Sequence, residues 1–88
     1  MLVIKDDYDL RKLICDFGFT TCITPNQRLY VRDMMNHFPD DRIRVAIDMD
    51  TRIIAIEYRL KHGGESFTWR LDSIYDLIQA GLVYKVKE

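Results

Sequence analysis

Cysteine, proline and glycine are all scarce in this chain, with two, two and four residues among 88. Cys15 and Cys22 form no C-x-x-C pair, and two cysteines are too few for the disulfide framework of a small secreted domain. Together with His37 and His62 they supply four soft donors without metal-ligand spacing, so no metal and no cofactor is expected. Unpatterned thiols suit a reducing compartment, and the chain reads as cytoplasmic. With no glycine- or proline-rich linker, repeat or low-complexity tract, residues 1–88 read as a single globular domain.

An excess of either charge is also missing. Thirteen basic and fourteen acidic side chains leave a formal charge of -1, which provides no overall attraction to phosphate backbones or anionic lipid. Long apolar runs are absent too. The opening "MLVIKDDYDLRK" breaks at Lys5, short of a signal peptide's apolar region, and no run approaches the roughly 20 apolar residues of a membrane span. No association with a membrane is expected. What is present is a hydrophobic fraction of 48% beside 31% charged residues, the composition of a chain that builds a core.

Periodicity supplies the elements. "MLVIK" reads as an optional edge strand. Leu10, Leu13, Ile14 and Phe17 recur at helical spacing after Asp6 or Asp7 as cap, with Gly18 placed to end the helix. "TPNQ" then reads as the start of a second helix. Thr24 can accept from the Gln27 backbone N–H, Pro25 suits the first turn, and Val31, Met34, Met35 and Phe38 form a stripe closed by Pro39.

From Arg42 the period becomes two. Centring a bend on Asp50 and Thr51 sets Ile47 opposite Ile54, Val45 opposite Ile56, Ile43 opposite Tyr58 and Arg44 opposite Glu57. A second bend at Gly63-Gly64 sets Leu60 opposite Phe67, Tyr58 opposite Trp69 and Glu57 opposite Arg70. Asp72 or Ser73 caps a last helix with Ile74, Leu77 and Ile78 inward, ended by Gly81, and "LVYKV" suits a short final strand. The expected fold is α+β: two N-terminal helices, a three-stranded antiparallel β-meander, a C-terminal helix and the short final strand, with the helices packed on one sheet face.

Catalytic patterns are weak. In "RVAIDMDTR", Asp48 and Asp50 lack the D-x-D-x-T spacing of haloacid-dehalogenase-type phosphatases and fit the polar bend of a hairpin. No glycine-rich phosphate loop occurs, and neither histidine stands in a nucleophile–base pattern, so enzymatic activity is not expected and a small enzyme is a minor alternative. The favoured function is a small intracellular protein-binding module, an inhibitor or accessory regulator of a larger protein, of phage or mobile-element type, with homodimerisation as an option. Its surface would be the outward sheet face, with Arg44, Ile53, Glu57, Arg59, Thr68 and Arg70. The alternative is nucleic-acid binding through Asn26, Gln27, Arg28 and Arg32 on the second helix, with the hairpin as a wing.

Overall fold

A computed structural model describes residues 1–35, 42–59 and 72–86. These residues build a six-stranded sheet in the order β2-β3-β4-β5-β1-β6, antiparallel throughout. Its strands are β1 (Leu2–Ile4), β2 (Thr20–Ile23), β3 (Arg28–Met35), β4 (Arg42–Asp48), β5 (Ile53–Arg59) and β6 (Val83–Lys85). Two short helices, α1 (Lys12–Phe17) and α2 (Tyr75–Gln79), complete the described elements.

This architecture overturns the expected pair of N-terminal helices and three-stranded meander. The second helix does not exist, because β2 and β3 form a hairpin across residues 20–35. At its turn, Thr24 and Gln27 exchange backbone hydrogen bonds of 2.8 and 3.4 Å, and the Gln27 N–H also donates to Thr24 Oγ1 at 3.0 Å. That side-chain bond is the one expected of a helix cap. Here it closes a turn instead, since Ser and Thr hydroxyls serve both purposes. Once β3 lies between β2 and β4, both its edges are bonded, and its Leu-Tyr-Val run suits a pleated surface better than a helix.

The bend between β4 and β5 follows the expected register: Ile47 faces Ile54, Val45 faces Ile56, Ile43 faces Tyr58 and Arg44 faces Glu57. Asp48 builds this bend, its Oδ1 accepting from the Asp50 and Thr51 N–H groups at 2.8 and 2.9 Å. Arg52 closes it with φ 64°, a left-handed conformation uncommon outside glycine. Its guanidinium then donates to the Lys5 and Tyr8 carbonyls at 2.6 and 2.7 Å, tying the bend to the segment after β1. The bend at Gly63-Gly64 and its pairs to Phe67, Trp69 and Arg70 lie outside the described residues, as do His37 and His62.

β1 is no edge strand: it runs between β5 and β6, with Leu2 facing both Ile54 and Lys85. The sheet face that carries Ile4, Tyr30, Val45, Ile47 and Ile54 packs against Leu10 and Leu13 of the α1 segment and Ile74 and Leu77 of the α2 segment. Ile14 and Ile78, expected inward, are exposed. Helices of 6 and 5 residues span less than two turns, so each turns only one or two side chains to the sheet. Glycine ends both helical segments. Gly18 and Gly81 have φ 73° and 74°, and the Leu82 N–H reaches back to the Leu77 carbonyl at 3.2 Å to complete a Schellman closure.

Candidate functional site

Side chains alternate along each strand, so the register defines a second sheet face directly. Across it run Thr20, Val31, Ala46 and Ala55 in one row, and Asp33, Arg44 and Glu57 in the next. Ala46 and Ala55 stand opposite one another on the two central strands. Two methyl groups flanked by the larger Leu29 and Ile53 make the surface dip, and a hollow of about 340 Å³ results. Leu29, Ala46, Ile53 and Ala55 supply its apolar lining. Gln27, Asp48, Thr51 and Glu57 supply its polar lining.

The charges around this hollow are arranged unequally. Arg44 donates from Nε and a terminal nitrogen to the two carboxylate oxygens of Asp33, at 2.8 and 3.2 Å, instead of closing on Glu57 opposite. Side-on pairing of this kind fixes the guanidinium plane. Glu57 is exposed at the margin of the hollow, and its charge adds to that of Asp33 in holding the Arg44 guanidinium above its ordinary pKa. At the other end, N–H groups of Thr51 and Asp50 hold the Asp48 carboxyl below the usual carboxylate range, because hydrogen bonds to the charged form favour it. Asp48 is thereby occupied in shaping the bend. Its partner in the sequence motif, Asp50, instead approaches Arg28 at 3.8 Å.

Of the expected outer-face residues, Arg44, Ile53 and Glu57 do lie on this one face. Arg59 occupies the last position of β5, opposite Arg42, while Thr68 and Arg70 lie outside the described residues. The nucleic-acid set fares differently. Asn26 and Gln27 belong to the β2–β3 turn region, and Arg28 begins β3, so none of the four stands on a recognition helix. Arg32 is turned to the core face with its side chain only 14% exposed. Its guanidinium donates to both Asp76 carboxylate oxygens at 2.7 and 3.0 Å and to the carbonyls of Phe17 and Ser73 at 2.9 and 2.8 Å. It also lies 4.6 Å from the centre of the Phe19 ring. This arginine clasps the end of α1 and the start of α2 to β3: its terminal nitrogens are all engaged, and its Nε, which has no partner, is buried away from any phosphate.

Leu29, Ala46, Asp48 and Thr51 line the hollow but belong to neither expected binding set, whereas Gln27 was expected in the nucleic-acid set. The signal for the alanines was present, since Ile47 opposite Ile54 and Val45 opposite Ile56 require Ala46 opposite Ala55. Leu29 had no signal once its segment read as a helix. Among the described residues no three His, Cys, Asp or Glu side chains gather to hold a metal ion, and no helix is long and apolar enough to cross a membrane. Cys15 is exposed on α1, and Cys22 is half-buried on the outer face of β2. No protein-family model matches the chain, and comparison with curated proteins and with solved structures finds no match in either.

Proposed function

We propose that the chain is a non-enzymatic protein-binding module that engages its partner through the outer sheet face. The observation that carries this reading is the hollow over Ala46 and Ala55, whose apolar floor is bordered by Gln27, Asp48, Thr51 and Glu57, with the Arg44–Asp33 pair further along the same face. An apolar centre with a polar rim is the anatomy of a recognition surface: the centre gains from losing water, and the rim sets orientation. A volume of about 340 Å³ accommodates one or two side chains of a partner. The competing nucleic-acid reading loses its main support, because it required Arg28 and Arg32 on a helix and Arg32 is committed to Asp76. The regulator or inhibitor role, in a cytoplasmic setting, belongs to this proposal.

The test is capture from host lysate on immobilised protein, with Ala55→Arg in the hollow and Ile78→Arg on α2 as control. Both sites are exposed, so both variants keep the wild-type melting temperature. Wild type and Ile78→Arg should retain the same protein after nuclease treatment, and Ala55→Arg should lose it. Retention that is equal in all three, or that disappears with nuclease, contradicts the proposal.

A further inference from the structure

Beyond the hollow, the exposed apolar side chains are not evenly spread. Met1, Tyr84 and Val86 are 45%, 40% and 37% exposed. All three share the outer face at one margin of the sheet: Val3 faces Tyr84, and the Val86 N–H donates to the Met1 carbonyl at 2.9 Å, continuing the register. That margin is β6, which among the described residues has a strand neighbour on one side only.

The bonding pattern shows what the open side of β6 offers. Leu82 accepts from the Lys5 N–H at 2.8 Å and Val86 donates to Met1, one residue to either side of β6, so residues 82, 84 and 86 turn their backbone groups toward β1. In an antiparallel ladder these alternate, and the N–H and C=O of Val83 and Lys85 therefore point away from the sheet. Two donors and two acceptors flank Tyr84 symmetrically. A strand is the only element that matches such a row.

We infer that β6 pairs with β6 of a second copy of this chain, on a two-fold axis through Tyr84. Antiparallel pairing about that axis sets Val83 opposite Lys85 of the other copy and Lys85 opposite its Val83, which joins all four outward groups of each strand in hydrogen bonds. The two Tyr84 residues then form a non-hydrogen-bonded pair, the closer kind, with Cα atoms about 4.5 Å apart. Their rings meet on the outer face beside Met1 and Val86 of both copies. No lysine faces a lysine, because the axis places each Lys85 against a valine. The same patch thus serves both partners, as a closed two-fold contact requires, and the six-stranded sheet continues into its copy. The opposite edge, β2, lacks this company: its exposed apolar side chain is Ile23, at 64%, beside threonines.

Sedimentation equilibrium of the purified chain tests the inference, with Tyr84→Lys to set two cations face to face and Ile23→Lys on the β2 edge as control. Wild type and Ile23→Lys should sediment with twice the chain mass, while Tyr84→Lys should weaken association by about tenfold or more. As a second measurement independent of that variant's folding, Tyr84→Cys in a Cys15→Ser, Cys22→Ser background should close an intermolecular disulfide under mild oxidant, since the axial Cα separation suits one. A monomeric wild type at millimolar concentration overturns the inference. So does a dimer lost in Ile23→Lys, or a Tyr84→Cys chain that stays reduced.

Discussion

Arg32 illustrates how one side chain can join segments far apart in sequence. It reads as a phosphate-binding arginine when its neighbours are Asn26, Gln27 and Arg28, but Asp76 lies 44 positions away and cannot be paired with it by local spacing. Replacing Arg32 with methionine should leave the Phe17 and Ser73 carbonyls without their donor. The expected cost is about 2–3 kcal/mol, below the roughly 3–5 of a fully buried ion pair because Asp76 is about half exposed. The pair also has a pH signature. Hydrogen bonds from Arg32 hold the folded-state Asp76 carboxyl below its ordinary value of 3.8, against the opposing effect of burial. A depressed carboxylate stabilises the fold at pH above the unfolded value, and this contribution is lost as pH falls through the lower folded value. Acid unfolding monitored from pH 5 downward should therefore be shallower in Asp76→Asn than in wild type. It should not become flat, since Asp9 and Asp48 are depressed as well and contribute with the same sign. An unchanged acid limb in Asp76→Asn would contradict the clasp.

At the scale of elements, legibility depended on whether the pattern had one structural meaning. The β4–β5 hairpin was readable because four cross-strand pairs all agreed with one bend, and a shift by one residue would have reversed every side chain. The β2–β3 hairpin was not readable, because the Thr24–Gln27 bond fits both a cap and a turn, and apolar residues at 31, 34 and 35 satisfy helical spacing. What decides is tertiary: β4 offers seven registered positions to β3, an option no local window contains. Amide exchange distinguishes the two outcomes. In β2, Thr20 and Cys22 turn their N–H groups toward β3, whereas Thr21 and Ile23 turn theirs away, by the alternation that the Thr24–Gln27 pair sets. Exchange measured by NMR should alternate slow and fast along residues 20–23, with β3 protected at consecutive positions over residues 29–32. Protection of period near four across residues 26–35 would restore the helix.

For the whole molecule, the two sheet faces are built differently. Helices α1 and α2 cover one sheet face and hold it through Leu10, Leu13, Ile74 and Leu77, while the bend at Asp48 and the Arg44–Asp33 pair shape the other. Leu29, Ala46, Ile53 and Ala55, the apolar lining of the hollow, sit on β3, β4 and β5 at the middle of the sheet, where strands bonded on both sides keep their geometry. Such a rigid platform needs little ordering when a partner binds, which favours recognition by preformed shape. Site-specific photo-crosslinking from position 55 tests the proposed contact of this face with a protein. A photoreactive phenylalanine replacing Ala55 would extend from the floor of the hollow, and the same residue replacing Ile78 would sample the helix side. One discrete protein adduct is expected from position 55 in host cells, absent from position 78. Adducts to nucleic acid from position 55, or the same adducts from both positions, would contradict it.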